Sequence, residues 1–303
     1  MTLGELNCLQ QANAMLGESP LWHPDEGALY WIDILRPAIY RHVPGLGQTG
    51  NWPMPSAVGA MGLCRNGRLI VALENEAVCL FDPKTGDLCK IIDPVDVCGP
   101  KNVAGRYNDG RVDALGNFWV GWLTHGRKQP GALFRVEPSG RVRKILDDPV
   151  APNGLGWSPD GRMFYFTDSH INTIWAYECD LETGVLGARR VFVQQDRNQG
   201  VFDGLCVDSE GNIWTALYGG GAVVKLSSEG HERARIELPA SLVTSCCFGG
   251  DGLRDLLITT AVRRQNIVEL ITQPLAGSVF SMPMELSGMV EQLASFTYDT
   301  KIL

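Results

Sequence analysis

Short runs of apolar residues, bounded by glycine and other turn residues, recur along the whole chain. Residues 67–73 and 131–136 are two examples, each beginning with a glycine that is followed by a largely aliphatic or aromatic segment. Runs of this length and composition predict β-strands. Because we find no long stretch with the 3.6-residue period of an amphipathic helix, the pattern predicts an all-β protein.

The apolar runs repeat at a regular distance, which predicts the architecture. Their centres fall at Trp31, Ile70, Trp119, Tyr165, Trp214 and Leu257, at intervals of 39, 49, 46, 49 and 43 residues. This is the length of a propeller blade, and six such units account for the 303 residues. We therefore predict a six-bladed β-propeller of four-stranded blades, in a single domain over residues 1–303. A solenoid or an open sandwich also has short strands, but the period favours neither.

Three segments share a finer pattern, at residues 106–119, 151–165 and 200–214. Each has an Asn or Asp beside a glycine, then an apolar stretch, a tight turn and an aromatic strand. If each copy of the repeat carries an oxygen-bearing side chain at the same position, several of these side chains can point to one location in the fold. Such a location suits a hard cation.

Composition narrows the class of protein. Apolar residues make up 45% of the chain, so its 35 glycines and 17 prolines indicate turns and not disorder. A net charge of -8 argues against a nucleic-acid partner. The nine cysteines are odd in number and never spaced Cys-x-x-Cys, which argues against a disulfide framework and a zinc knuckle. Residues 1–8 have neither a basic stretch nor a long apolar run, so we expect a cytoplasmic protein without a membrane partner.

Five short motifs resemble, in order and spacing, the signatures of the regucalcin and gluconolactonase family of metal-dependent sugar lactonases. They are residues 16–22, 29–34, 106–110, 152–154 and 202–204. The resemblance covers nearly the whole chain. It implies a propeller with one divalent metal ion in the central pocket, bound by Glu18, Asn153 and Asp203, with Arg106 and Asn108 binding the substrate beside it.

The chemistry of the implied metal ligands is consistent with that role. The carboxylates of Glu18 and Asp203 balance the charge of a divalent cation, and the amide oxygen of Asn153 leaves positions open for water and substrate. Oxygen ligands suit Ca²⁺, Mg²⁺ or Mn²⁺, and carboxylates also bind Zn²⁺ and Fe²⁺.

Taken singly, the same residues have simpler interpretations. Glu18 is typical of an exposed turn, Asn153-Gly154 and Asp203-Gly204 are dipeptides that tight turns favour, and Arg106 resembles a surface arginine. Asn108 has the alternative of an Asx turn. We assign structural roles to Asp33, Asp113, Asp160 and Asp208, whereas Asp168 either supports the site or caps a turn.

One segment departs from the family pattern. Where lactonases of this family have a Thr-Met pair and, in some members, a substrate-binding Glu, this chain has residues 122–125, Trp-Leu-Thr-His. We therefore expect Trp122 and His125 at the pocket, where they change its volume and charge.

The resemblance and the absences together predict a function. The chain has no Gly-x-Ser-x-Gly elbow, no phosphate loop and no His-Glu-x-x-His motif, which excludes the corresponding hydrolases and nucleotide enzymes. We predict hydrolysis of a small-molecule sugar lactone, an aldonolactone or uronolactone, with a metal ion polarising the carbonyl and Asp203 as general base. The alternatives are a calcium-binding regulatory protein and a metal-dependent hydrolase of organophosphates or other esters.

Overall fold

The computed structural model describes residues 4–263 and 265–296 of the chain. Residues 1–3, 264 and 297–303 lie outside the described part, and with them both ends of the predicted 1–303 domain. The described residues form six antiparallel sheets of four strands each. The predicted six-bladed β-propeller is therefore confirmed.

Five of the blades run in chain order from the innermost strand outward. Blade 1 has β2 (Gly17–His23), β3 (Ala28–Asp33), β4 (Ala38–Val43) and β5 (Gly47–Pro53); blade 2 has β6 (Val58–Leu63), β7 (Leu69–Leu73), β8 (Ala77–Phe81) and β9 (Leu88–Ile92). Blade 3 has β10 (Gly105–Val112), β11 (Phe118–Thr124), β12 (Ala132–Val136) and β13 (Val142–Leu146); blade 4 has β14 (Pro152–Trp157), β15 (Met163–Asp168), β16 (Thr173–Asp180) and β17 (Val185–Gln194). Blade 5 has β18 (Val201–Val207), β19 (Ile213–Tyr218), β20 (Ala222–Leu226) and β21 (Glu232–Glu237).

The sixth blade combines the two ends of the described chain. It contains β22 (Val243–Gly249), β23 (Asp255–Thr260), β24 (Val279–Pro283) and, as its outermost strand, β1 (Asn7–Gln10). Strand β1 pairs antiparallel with β24, with Cys8 opposite Phe280. The propeller ring is thus closed by hydrogen bonds between segments that are far apart in sequence.

Each predicted strand centre lies on the second strand of a blade. These strands are buried because each face of a blade packs against a neighbouring blade. Successive side chains point to opposite faces, so Tyr30 contributes to the core between blades 1 and 2 and Trp31 to the core between blades 6 and 1. One apolar cluster fills each of the six junctions between blades. Burial on both faces explains the nearly continuous apolar runs.

All six inner strands carry a β-bulge near their first residues, where the pairing register with the second strand shifts. The shifts fall between Glu18 and Leu21, Val58 and Ala60, Asn108 and Gly110, Asn153 and Leu155, Phe202 and Leu205, and Val243 and Ser245. A bulge re-aims the side chains beside it. The repeated bulge therefore presents a set of side chains at one end of the propeller.

Helices are few and short in the described part of the chain. Helix α1 spans Pro94–Cys98 and helix α2 spans Ile267–Thr272. No helix among the described residues has the length and apolar character needed to cross a bilayer.

Candidate active site

A polar cavity of about 490 Å³ opens where the inner strands begin. Six of the seven residues predicted for the site line it: Glu18, Arg106, Asn108, His125, Asn153 and Asp203. They come from blades 1, 3, 4 and 5. The shared position on successive inner strands brings together residues that are up to 185 positions apart in the chain.

The metal-ligand candidates lie at the bulges of inner strands and not in turns. Asn153 with Gly154 is inside β14, and Asp203 with Gly204 is inside β18. Glu18 is inside β2 and its exposed fraction is 7%. The simpler interpretations of these residues as exposed or tight-turn positions are therefore wrong. The glycines instead allow neighbouring inner strands to approach closely.

A chain of hydrogen bonds orients the polar side chains. Arg106 Nη1 donates to Asn108 Oδ1 at 2.7 Å, and Asn108 Nδ2 donates to Asn153 Oδ1 at 3.0 Å. Asn153 Nδ2 donates to Ser169 Oγ at 2.9 Å, and that hydroxyl donates to the carbonyl oxygen of Phe202 at 2.6 Å. Since a guanidinium can only donate, the chain sets both amide orientations. The Asn153 oxygen keeps a second lone pair for another partner.

The carboxylates of Glu18 and Asp203 are buried in this cavity without a direct ion pair to any described basic side chain. Burial raises the pKa of Glu18 well above its usual value, and the charges of Asp203 and Asp109 raise it further. Burial and the charge of Asp109 also raise the pKa of Asp203, although Arg127, Arg106 and Arg263 oppose the shift. Two buried carboxylates in this situation favour a proton or a cation between them.

The donor set fits a divalent cation that prefers oxygen. Within residues 4–263 and 265–296, no three His, Cys, Asp or Glu side chains are arranged to hold a metal ion. The candidate set here consists of two carboxylates and one amide, Glu18, Asp203 and Asn153. Their charge and their oxygen donors match a hard divalent ion with open coordination positions.

Buried aspartates support the inner strands that carry the site. Asp33 accepts hydrogen bonds from the backbone N–H groups of Met15 and Leu16, just before β2. Asp168 accepts from those of Val150 and Ala151, just before β14. Asp168 also accepts from the backbone N–H of His170 at 2.9 Å, so its hydrogen bonds match both roles considered for it, support of the site and capping of a turn.

Two other predicted structural aspartates tie turns to second strands. Asp113 accepts from Trp119 Nε1 at 2.8 Å, and Asp208 accepts from Trp214 Nε1 at 3.0 Å. Both carboxylates are fully buried. These equivalent bonds in blades 3 and 5 show how the repeat preserves the same scaffold.

The structure separates the two residues that depart from the family pattern. His125 lines the cavity, and its Nε2 lies 3.0 Å from Oε1 of Glu74. Trp122 does not line the cavity. Its exposed fraction is 3%, and it packs in the apolar cluster between blades 2 and 3, against Gly105. Burial in that junction leaves no access from the cavity to the indole.

Several lining residues were not anticipated: Ser169, Tyr218, Arg127, Arg197 and Arg263. All of these except Arg197 either end the second strand of a blade or follow it within three residues. Because inner and second strands are antiparallel, the start of the first and the end of the second lie at the same end of a blade. The signal that could have located them is therefore the position after each aromatic or aliphatic strand centre.

A second cavity, of about 210 Å³, lies where the inner strands end. Its lining is mainly apolar and includes Trp157, Phe248 and Met289, and an Arg111–Glu291 ion pair of 3.2 Å lies there. The predicted site carboxylates and amides, Glu18, Asp203, Asn108 and Asn153, all line the first cavity, which is therefore the candidate active site.

Comparison with known proteins is consistent with this arrangement. The family model described as the SMP-30/Gluconolactonase/LRE-like region matches residues 16–262. The chain belongs to this family, so the family predicted from the motifs is confirmed.

Two relatives and one solved structure illustrate the similarity. A 6-deoxy-6-sulfogluconolactonase of Pseudomonas putida is 35% identical over 95% of this chain and 98% of its own. Pentonolactonase XacC of Haloferax volcanii is 35% identical over 81% of each chain. The crystal structure of a calcium-binding protein, regucalcin, from Agrobacterium tumefaciens superposes with a TM-score of 0.88 at 28% identity, over 96% of this chain and 97% of that one.

Proposed function

We propose that this protein hydrolyses a sugar lactone, an aldonolactone or uronolactone, to the sugar acid, with a divalent cation bound by Glu18, Asn153 and Asp203. The observation that carries the proposal is the pair of buried carboxylates, which form no direct ion pair with another described residue, beside an amide oxygen oriented by hydrogen bonds. The relatives named as a sulfogluconolactonase and a pentonolactonase support lactone hydrolysis.

A bound cation would supply a Lewis acid for the lactone carbonyl. Side chains of the protein would supply the proton transfer and the cation ligands. Asp203 would accept a proton from the attacking water, and burial, which raises its pKa, favours this role. Glu18 and Asn153 would bind the cation beside Asp203, and the carboxylate of Glu18 would help to balance its charge.

Arg106 and Asn108 would orient the substrate. The Arg106 guanidinium uses Nη1 to bond the Tyr107 carbonyl oxygen and Asn108 Oδ1. These bonds hold its plane, so Nε and Nη2 are available as rigid donors to sugar hydroxyls or a carboxylate. Binding energy from these contacts would position the ester carbonyl.

Calcium binding without turnover is the second candidate function. The solved regucalcin structure with TM-score 0.88 is described as a calcium-binding protein. The same oxygen donors suit Ca²⁺, so cation binding alone would not distinguish a regulatory protein from an enzyme. Turnover decides between them.

The test is a matrix of cations and lactones. The protein is stripped with a chelator and each of Ca²⁺, Mg²⁺, Mn²⁺, Zn²⁺ and Fe²⁺ is added back before hydrolysis of a panel of aldonolactones and uronolactones is measured. We expect no activity after stripping and recovery with at least one cation. Asp25→Asn, an exposed carboxylate distant from the cavity, is the control and should behave as wild type. Full activity in the stripped protein would contradict the cation's role, and cation binding without hydrolysis of any lactone would favour the calcium-binding alternative.

A further inference from the structure

The lining of the candidate active site is rich in arginine. Among the residues that the structure describes, Arg106, Arg127, Arg197 and Arg263 line the cavity together with two carboxylates, Glu18 and Asp203. Four positive charges against two negative ones leave a net charge of +2, in a protein whose overall net charge is -8. Glu74, which pairs with His125, and Asp109, whose charge acts on Glu18 and Asp203, lie next to this lining and offset part of the excess. The excess would grow when a divalent cation binds.

The arginines are close enough to act on one another. The pKa of Arg106 falls to about 10, first because of burial and then because of the charges of Arg263 and Arg127. Like charges held together in a concave, partly desolvated site favour a bound anion. The carboxylates of Glu18 and Asp203 do not fully serve as this anion, because they are the candidate ligands of the cation.

Arg127 lies at the mouth of the cavity in a conformation that is unusual for its residue type. It belongs to a single turn of 3-10 helix, His125–Arg127, and has φ of 53° after Gly126 with φ of 76°. A non-glycine residue adopts this left-handed region at an energetic cost. The turn directs its charge to the cavity, where it acts on Asp203 and Arg106. Within the described chain it forms no hydrogen bond or direct ion pair through its side chain.

Arg197 is anchored on the other side of the cavity. Its Nη1 donates to the carbonyl oxygens of Ser169 at 2.9 Å and His170 at 3.0 Å. Ser169 is the residue whose hydroxyl orients Asn153. One nitrogen therefore fixes the guanidinium beside the site, and Nε and Nη2 donate to no described residue. A guanidinium held in this way presents a fork of donors suited to a carboxylate or another oxyanion.

We infer that the substrate is a lactone that carries a second, ionised acidic group away from the ring ester, and that Arg127 and Arg197, with Arg263 beside them, bind this group. The inference rests on the proposed lactone hydrolysis and specifies its substrate class. The ring ester would lie at Glu18, Asn153 and Asp203, and the anionic group at the arginine side of the cavity. Attraction by the net positive charge would also raise the rate of encounter with such a substrate.

A matched pair of substrates tests the inference. D-glucono-1,4-lactone and D-glucaro-1,4-lactone have the same ring and differ only at C6, which is a hydroxymethyl group in the first and a carboxylate in the second. We expect the wild-type protein to show a kcat/KM at least about tenfold higher for the anionic lactone, and expect added salt to reduce this preference. A lactone with a sulfonate at C6 is measured in parallel, and a preference for either anion supports the inference. The inference would be contradicted if the kcat/KM of both anionic lactones were equal to or lower than that of the neutral lactone.

Variants then connect the preference to the arginines. Arg127→Gln and Arg197→Gln should each lower the anionic-to-neutral ratio of kcat/KM by about 10- to 100-fold, because each removes a charge-assisted hydrogen bond. Both side chains are exposed, so the variants should fold, which thermal melting checks. Arg233→Gln on the exposed outer strand β21 is the control and should leave the ratio unchanged. An unchanged ratio in both cavity variants would also contradict the inference.

A binding measurement separates this inference from the proposed function. Calorimetric titration with the open-chain acids glucarate and gluconate needs no turnover. If no lactone is hydrolysed but glucarate binds more tightly than gluconate and Arg127→Gln removes the difference, the anion site stands and the lactonase proposal fails. If the neutral lactone is hydrolysed, glucarate binds no more tightly than gluconate and the anionic lactones are not favoured, the lactonase proposal stands and the anion site fails.

Discussion

A Cβ atom on Gly154 would lie 2.7 Å from the backbone carbonyl oxygen of Asp203. The inner strands of blades 4 and 5 therefore touch at the level of the candidate site, and only glycine permits the contact. Its neighbour Asn153 and the facing Asp203 are two of the three proposed metal ligands. Their relative position depends on this close approach.

Gly154→Ala should consequently disturb the site as well as the fold. We expect a loss of about 1–3 kcal/mol in the free energy of unfolding, typical of overpacking, and at least a tenfold weaker apparent affinity for the activating cation. Denaturant unfolding and cation titration measure the two effects. Gly187→Ala, on the exposed strand β17, is the control. Wild-type cation affinity in Gly154→Ala would contradict the dependence of the site on this contact.

Asp203→Asn preserves the shape of the side chain and one carbonyl oxygen but removes the charge and the base. Turnover should fall by about 10² or more while the fold is retained. Steady-state kinetics and circular dichroism check the two parts. A variant with near wild-type kcat would remove Asp203 from the mechanism.

His125 and Trp122 should respond differently to substitution. Trp122 is buried between blades, so Trp122→Ala should lower the free energy of unfolding by about 3–5 kcal/mol, and the relative kcat/KM values for different lactones should not change. His125→Gln should alter those relative values with little loss of stability, because the ring lines the cavity and is largely exposed. Denaturant unfolding and kinetics on the lactone panel measure these effects. A specificity change in a folded Trp122 variant with none in His125→Gln would reverse the assignment.

Asp109 should make the stability of the metal-free protein depend on pH. Burial is the main cause that raises its pKa to about 6, from an ordinary value of 3.8. The folded state therefore holds a proton that the unfolded state releases, so this group lowers stability as pH rises from about 4 to 6. Asp109→Asn should raise the free energy of unfolding at pH 7 by up to about 3 kcal/mol, and the gain should vanish below pH 4. Denaturant unfolding at several pH values tests this, and a variant less stable than wild type at pH 7 would contradict it.

The amino-acid sequence by itself determined the architecture and the family. The second strand of every blade is buried on both faces, which produces apolar runs such as the one around Trp119 at a blade-sized spacing. This signal is local and repeated, so it is readable without coordinates. The motifs around Glu18, Asn153 and Asp203 were recognisable for the same reason, since each is a short segment at one point of a blade.

Only the tertiary structure decided what depends on contacts between distant segments. The pairing of β1 with β24, the burial of Trp122 between two blades and the approach of Gly154 to Asp203 each join elements whose separation in sequence carries no local pattern. Arg106 lies in inner strand β10, within a recognisable motif, whereas Arg127, Arg197 and Arg263 lie outside the regular strands, where periodicity is absent. Their charges converge because blades arranged in a ring bring equivalent strand ends to one axis, and the convergence exists only once the ring has closed.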